Sequence, residues 1–210
     1  MAPADYILID DQLDKMKRLD DALGSASSPS TYAFGGSIAL DYYTEPRATT
    51  DFDINIACSE RYSPEVISYL GKVLPDLEID ERVVAIAQED GQVRIGWGQY
   101  KLDLFFANTG FHEAIAQRVH LVPFLDREIP IIAEEHLIAC KAIFNRTKDW
   151  LDIENMMGDA PDDLDATEAH NWVSTIASAD ISARLDALFV SHGFSLFEQS
   201  QSIIANNDRP

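Results

Sequence analysis

The stretch that decides the fold is Phe34-Gly35-Gly36-Ser37, followed further along by Thr49-Thr50-Asp51-Phe52-Asp53-Ile54. Two glycines and a serine form a turn that can open a helix, where backbone amides and the positive end of the helix dipole attract phosphate. In the second segment, the period of a strand places Asp51 and Asp53 on one face while Phe52 and Ile54 point into the core. Two convergent carboxylates are hard oxygen ligands of the kind that magnesium prefers.

Each half of this stretch is weak evidence by itself. A Gly-Gly-Ser sequence is usually only a turn, and an Asp-x-Asp sequence is usually a solvated strand face. The order of the elements is more specific: a strand, the Gly-Gly-Ser turn, a short helix and the Asp-x-Asp strand. This order places a phosphate-binding turn before a magnesium site. This order predicts a metal-dependent nucleotidyl transferase.

Composition limits the class of protein. The 210 residues suit one large domain or two small ones, and a hydrophobic content of 46% is ample for a packed core. The two cysteines, Cys58 and Cys140, lie in apolar runs without metal-binding spacing, so we expect reduced core thiols. We see neither a secretion signal nor an apolar run long enough to span a membrane, and we therefore expect a cytoplasmic protein.

The chain is strongly acidic, with 36 acidic against 16 basic residues and a net charge of −20. Binding of long nucleic acids depends on Lys and Arg that neutralise phosphates, and no cluster of them is found. The composition does not exclude a local patch that binds one end of an RNA. The acidic field would attract cationic acceptors. The alternative is that the acidity serves only solubility.

Hydrophobic periodicity predicts a mixed α/β half over residues 1–132 and a helical half over residues 133–210. Turn and capping signals then indicate where each helix and strand begins and ends. Gly158 to Asp165 is predicted to be a linker and the tail from Asn206 to be frayed. The predicted strands are 31–34, 51–57, 82–88, 92–97, 100–106, 119–124 and 129–132, with 82–88 and 92–97 joined as a β-hairpin around Asp90-Gly91. The predicted helices are 10–23, from the spacing of Leu13, Met16, Leu19 and Leu23, then 38–43, one that starts at Ser63-Pro64 with the proline at its first position, 111–117, 134–144, 147–157, 167–177 and 181–190.

Asp103 stands in the middle of the apolar strand 100–106. An aspartate there is costly to bury without a partner. Together with Asp51 and Asp53 it would suit a two-metal mechanism, in which two Mg²⁺ ions, with Mn²⁺ as the alternative metal, clamp the attacking and leaving oxygens. Asp103 would complete the coordination of the second ion and accept the proton of the acceptor hydroxyl. The competing interpretation is a buried ion pair with a nearby Lys or Arg.

In the helical half, Lys141 lies on an otherwise apolar stripe. By itself the position favours a lysine whose stem packs on the core while its amine reaches water, over one that reaches into a site. Asp149 and Asp152 are expected on the helix surface, with Lys148 and Asp152 as an i,i+4 pair.

The pattern Gly35-Gly36-Ser37, Arg47-x-Thr49-x-Asp51-x-Asp53 and then Asp103 resembles the polymerase-β-like nucleotidyltransferase superfamily. The later residues Lys141, Arg146, Lys148, Asp149 and Asp152 narrow the resemblance to the AbiEii-type nucleotidyltransferase group, which includes toxins of type IV toxin–antitoxin systems. The resemblance covers about residues 30 to 155. It implies an α/β (α+β) nucleotidyltransferase fold, with a mixed sheet in the N-terminal half and a C-terminal helical bundle that completes the cleft.

The resemblance also implies chemistry. A nucleoside monophosphate would pass from a nucleoside triphosphate to an acceptor, with magnesium and release of pyrophosphate. Its metal ligands and catalytic residues are Asp51, Asp53 and Asp103, its nucleotide and phosphate contacts are Gly35, Gly36, Ser37, Arg47, Lys141 and Arg146, and Asp149 is associated with the site.

The acceptor stays open at the level of sequence. Some toxins of the group modify the acceptor end of transfer RNA, which the acidic composition disfavours here. A protein hydroxyl and a cationic small molecule such as an aminoglycoside are the other candidates. The alternative to an enzyme is a catalytically inactive protein that keeps the fold to bind a nucleotide or another protein, and the oligomeric state is not predicted.

Overall fold

The computed structural model describes residues 10–160 and 164–196, and the chain divides into two compact units, Met1–Ala133 and Glu134–Pro210. Part of the predicted linker, residues 161–163, and the predicted frayed tail from Asn206 lie outside the described residues.

The first unit is built on a six-stranded mixed sheet with the strand order β3-β4-β2-β1-β6-β5. Strand β2 lies parallel to β4 and antiparallel to β1, and β1 lies parallel to β6. The outer pairs β3–β4 and β5–β6 are antiparallel. The strands are β1 (Tyr32–Phe34), β2 (Asp51–Ile56), β3 (Gln92–Trp97), β4 (Tyr100–Phe106), β5 (Val119–Phe124) and β6 (Arg127–Ile132).

Burial along the central strands alternates as the sequence predicts. In β2, Phe52, Ile54 and Ile56 are fully buried, whereas the residues between them are half-buried. Phe52 packs on the rings of Trp97 and Tyr100, with centroids 5.6 and 5.5 Å away. One face of β2 therefore belongs to the core, and the other is left for polar side chains.

Helices complete the first unit. They are α1 (Asp10–Leu23), α2 (Gly36–Leu40), α3 (Ser63–Val73), α4 (Glu81–Asp90) and α5 (Gly110–Gln117), with a 3-10 turn at Glu60–Tyr62 before α3. Helix α1 buries Met16, Leu19 and Leu23, which are three of the four residues whose spacing predicts it. Helix α3 has its predicted proline in the first turn, where no amide hydrogen bond is lost.

The prediction of a β-hairpin around Asp90-Gly91 is wrong, because residues 81–90 form α4. The Asp80 carboxylate caps this helix by accepting hydrogen bonds from the amides of Arg82 and Val83, at 2.9 and 3.0 Å. Gly91 ends it in the left-handed conformation, with φ of 67°. The pair Asp90-Gly91, which is typical of a hairpin turn, thus ends a helix. Of the two strands predicted on either side of it, only 92–97 is present, as β3.

The second unit is helical in its described part, with α6 (Glu134–Phe144), α7 (Thr147–Asp159), α8 (Ala166–Ile176) and α9 (Ala179–Ser191). Helix α6 contacts each of the other three. This matches its sequence, because apolar residues occur around most of its circumference. Leu137, Ile138, Ala139 and Ala142 are all at most 1% exposed.

Cys58 and Cys140 are free thiols and half-buried. Within residues 10–160 and 164–196, no helix combines the length and the apolar character that crossing a membrane requires.

Candidate active site

The Gly35-Gly36 turn is held directly against the Asp-x-Asp strand. The amide of Gly35 donates to the carbonyl oxygen of Asp53 at 2.8 Å, so the end of β1 is tied to the middle of β2. Gly36 has a φ of 53°, which side chains other than glycine rarely adopt, and a Cβ there would lie 1.9 Å from Asp53 Oδ2. The missing side chain of Gly36 is therefore the space that the Asp53 carboxylate fills.

Asp51 and Asp53 lie on the face of β2 opposite the core, as predicted, and both are half-buried. The hydroxyl of Thr49 accepts a hydrogen bond from the Asp51 amide at 3.1 Å and so defines where the strand begins. The structure therefore brings together the turn (Gly35, Gly36, with Ser37 next in α2) and the first two predicted carboxylates.

Asp103 joins the same row of side chains. It pairs in register with Asp53 across the parallel strands β2 and β4, so both side chains leave the same face of the sheet. It is also engaged by Arg94 from β3, which donates from Nε to Oδ1 at 2.7 Å and from an amino group to Oδ2 at 2.6 Å. This is the ion pair that the sequence left open as the alternative role of Asp103.

Arg94 is a residue of this site that the sequence argument missed. The prediction considered β3 only as half of a hairpin, although Arg94 is the basic residue that alternates with buried Val93 and Ile95. The hydrogen bonds to Asp103 raise the pKa of Arg94 most, and the charges of Asp51 and Asp53 raise it further. One guanidinium thus lies within the field of all three carboxylates.

The donor atoms fit one divalent ion better than two. Asp51 and Asp53 present oxygen ligands on one face, which suits magnesium. Both oxygens of Asp103 already accept from Arg94. In the described parts of the chain, no three His, Cys, Asp or Glu side chains converge as a metal site. The predicted first ion therefore has two carboxylates on one face of β2, whereas a second ion would compete with Arg94 for Asp103.

The loop before β2 is anchored by Asp41, a second residue that the sequence argument missed. Its carboxylate, which is 4% exposed, accepts a hydrogen bond from the backbone amide of Arg47 at 3.1 Å. Burial raises the pKa of Asp41 to about 6, and the hydrogen bond and charge of Arg47 oppose that rise. Arg47, a predicted phosphate contact, is exposed at the end of this anchored loop.

In the second unit, Lys141 is buried rather than reaching water. Its amine donates to Asp152 Oδ2 at 2.7 Å, and the two side chains are 7% and 3% exposed. The interpretation that favours a solvent-reaching lysine is therefore wrong. The expected surface position of Asp152 is also wrong. Asp152 is buried beside Lys141, and each buried charge is stabilised by the other.

Arg146 and Asp149 form the start of α7. The Asp149 carboxylate accepts from the Arg146 amide at 3.1 Å, from its Nε at 2.6 Å and from an amino group at 3.0 Å. Asp149 is 1% exposed, so its predicted surface position is also wrong. Both residues act here in capping a helix, and their predicted association with a nucleotide stays a prediction.

A separate cavity of about 790 Å³ lies in the first unit. It is lined near the start of β1 and the end of β2, away from Asp51, by side chains that include Asn55, Cys58 and His112. Burial lowers the pKa of His112 and raises that of Cys58, so both groups favour their neutral forms. The described lining contains no Asp, Glu, Lys or Arg.

Comparison with solved structures identifies the fold. A crystal structure of an antigenic nucleotidyltransferase-like protein from Paracoccidioides brasiliensis is 16% identical, with a TM-score of 0.54 over 86% of this chain and 94% of that one. The chain has a nucleotidyltransferase fold. At this identity the likeness concerns the fold alone.

Two further solved structures are more distant from this nucleotidyltransferase fold. The antibiotic-resistance factor ANT(2'')-Ia is 16% identical with a TM-score of 0.47, over 86% of this chain and 92% of that one. A tRNA nucleotidyltransferase complexed with a primer tRNA and an ATP analogue is 10% identical with a TM-score of 0.30, over 77% and 57%. No protein-family model and no curated protein sequence matches the chain.

Proposed function

We propose that this chain transfers a nucleoside monophosphate from a nucleoside triphosphate to an acceptor hydroxyl, with release of pyrophosphate. The observation that supports this most is the fit of the Asp53 carboxylate into the space above Gly36, which unites the turn and the Asp-x-Asp strand. The nucleotidyltransferase fold is consistent with the proposal.

The roles in this proposal follow from the chemistry of each group. The amides of Gly36 and Ser37, at the first turn of α2, have no partner within the helix, and together with the Ser37 hydroxyl they would donate to the outer phosphates. Arg47, Lys141 and Arg146 are proposed as further phosphate or nucleotide contacts. Asp103 is proposed to accept the acceptor's proton.

Asp51 and Asp53 would hold a magnesium ion, with manganese as its alternative. Such an ion neutralises negative charge on the phosphates and stabilises the pyrophosphate as it leaves. The position of both carboxylates on one face of β2 supports this assignment.

The decisive variant is Asp53→Asn, which keeps the shape of the side chain and removes its charge. We expect nucleotide transfer to fall by about 100-fold or more, because a carboxylate that holds the ion is lost. The measurement offers nucleoside triphosphates labelled at the α-phosphate, with magnesium, to total RNA, total protein and a panel of aminoglycosides, and follows which fraction takes the label.

The matched control is Asp90→Asn, which removes an exposed carboxylate at the end of α4. It should leave both transfer and folding unchanged. Transfer at the wild-type rate by the Asp53→Asn variant would contradict the assigned role.

One observation favours a second candidate, a catalytically inactive protein that binds a nucleotide or another protein. The third carboxylate, Asp103, is held in a two-bond ion pair with Arg94. Calorimetry with each nucleoside triphosphate separates the two candidates. Tight nucleotide binding, with an affinity that changes neither with magnesium nor in the Asp53→Ala variant, would support the inactive protein.

We further propose membership of the AbiEii-type group and, with it, a toxin role in a toxin–antitoxin system. The support is the sequence pattern from Gly35 to Asp152. Expression in bacteria tests it: the wild-type chain should arrest growth and the Asp53→Asn variant should not. An RNA end, transfer RNA included, is then the acceptor to examine first.

A further inference from the structure

Arg94, Asp103 and Asp53 form a row across three neighbouring strands. Arg94 pairs in register with Asp103, and Asp103 pairs in register with Asp53. Adjacent strands lie about 4.8 Å apart and partners in register share a face, so the guanidinium stands on the same face as the carboxylates. A positive charge is therefore already part of the site.

The two hydrogen bonds between Arg94 and Asp103 are strong. Both contacts are short, 2.7 and 2.6 Å, both partners are charged, and the Asp103 side chain is only 11% exposed. Arginine is always charged in proteins, so the pair is not lost through deprotonation of the guanidinium. A metal ion at Asp103 would compete with this guanidinium, which occupies one lone pair on each oxygen and repels a second positive charge beside it.

Arg94 also has donors to spare. A guanidinium carries five N–H groups, and in the described part of the chain Asp103 takes two of them. The Arg94 side chain is 61% exposed, so a ligand can reach it. Its planar array of donors matches the spacing of phosphate oxygens.

We propose that Arg94 takes the place of the second metal ion: the chain binds one divalent ion, on Asp51 and Asp53, and the Arg94–Asp103 pair donates its remaining N–H groups to the nucleotide's phosphates. This inference rests on the proposed nucleotidyl transfer. It changes the predicted role of Asp103 from a metal ligand and proton acceptor to a residue that positions Arg94, and the proton of the acceptor hydroxyl would then pass to water.

Counting bound ions tests the proposal without any reaction. Mn²⁺ is titrated into the full chain with each of the four α,β-methylene nucleoside triphosphates in turn, and free Mn²⁺ is measured by electron paramagnetic resonance. We expect one bound ion per complex of chain and nucleotide, counting the ion that the nucleotide carries, both in the wild type and in Asp103→Asn. We expect two in Arg94→Gln, where Asp103 becomes available.

Nucleotide affinity provides a second measurement, because a purely structural Arg94 would not change it selectively. Arg94→Gln should weaken binding of the analogue at least about tenfold, the ordinary effect of losing a charged hydrogen bond. Arg94→Lys should keep one ion while recovering part of the affinity. The control Arg82→Gln removes an exposed arginine from α4 and should change neither quantity.

The possible outcomes are distinct. Two ions in the wild type and one in Asp103→Asn would overturn the inference and leave the proposed function standing. One ion in a folded Arg94→Gln variant would overturn it too, since the guanidinium would not be what excludes the second ion. If Arg94→Gln does not fold, Asp103→Asn still decides, because only a metal-binding Asp103 would lose an ion there. No ion and no nucleotide in the wild type would overturn both proposals.

Discussion

At the scale of single residues, the site depends on what Gly36 lacks. A methyl group at this position would meet Asp53 Oδ2 at 1.9 Å, and the backbone has a φ of 53°. For Gly36→Ala we expect a loss of about 1–2 kcal/mol in the free energy of unfolding and a larger loss of transfer activity, because the Asp53 carboxylate must move. Urea unfolding and initial rates measure the two effects.

Gly158 is the matched control for this substitution. It lies in α7, and a Cβ there would meet no atom of the described residues within 4 Å. Gly158→Ala should therefore be neutral or stabilise the chain by up to about 1 kcal/mol. Equal effects of the two substitutions would contradict the explanation.

Asp41 gives a prediction about pH. Its pKa in the folded chain is raised to about 6 from an ordinary 3.8, so the folded state holds the proton that the unfolded state releases first. Stability is therefore lost as pH rises from about 4 to about 6, by on the order of 3 kcal/mol. Asp41→Asn should be as stable as the wild type near pH 3.5 and more stable at pH 7, while still able to accept from the Arg47 amide.

Urea unfolding of both chains at a series of pH values measures this difference. The exposed Asp90→Asn variant is the control, and its difference from the wild type should not grow over the same range. If Asp41→Asn differs from the wild type by a constant amount at all pH values, then burial of Asp41 does not oppose its ionisation.

At the scale of elements, α4 shows how capping overrides the preference of β-branched residues for a strand. Residues 82–88 contain Val83, Val84 and Ile86, which favour a strand, yet Asp80 and Gly91 supply the two ends of a helix. Asp80→Ala removes the acceptor for two amides and should cost about 1 kcal/mol in the free energy of unfolding, measured by urea titration.

Asp90→Ala is the control for the capping argument. It removes an acidic residue from the end of α4, where negative charge opposes the helix dipole, so it should be neutral or slightly stabilising. A destabilisation similar to that of Asp80→Ala would mean that the acidic charge of α4, and not its cap, stabilises the helix.

Most elements could be predicted because their signals are local. The spacing in α1, the alternation in β2 and β4, and the apolar run of α6 each reflect one face or one buried surface. Arg94 could not be predicted as a partner of Asp103, because the sequence gives no register between β3 and β4 until the hairpin is placed correctly. Lys141 and Asp152 pose the same problem in the second unit, since their ion pair joins two different helices.

At the scale of the whole molecule, the net charge of −20 predicts how salt acts on the acceptor. Raising ionic strength from about 0.01 to about 0.1 M shortens the screening length from about 30 to about 10 Å. At saturating nucleoside triphosphate, kcat/KM should rise for an anionic RNA end, as repulsion weakens, and fall for a cationic aminoglycoside.

The rate of transfer to a neutral acceptor is the control for this experiment, and it should change little. A fall in kcat/KM for RNA as salt rises would contradict the prediction. It would indicate a local basic surface that outweighs the overall charge, because attraction to phosphates is what salt weakens.

The sequence by itself determined the mixed α/β half, the helical half and the Asp51–Asp53 face, since these follow from periodicity and from residues close together in the chain. Only the tertiary structure decided how the charges are paired. Strand register brought Arg94 to Asp103, helix packing brought Lys141 to Asp152, and the missing side chain of Gly36 left room for the Asp53 carboxylate. The physical reason is that a buried charge is stabilised by whichever partner the fold brings near, and that partner lies at no fixed distance along the chain.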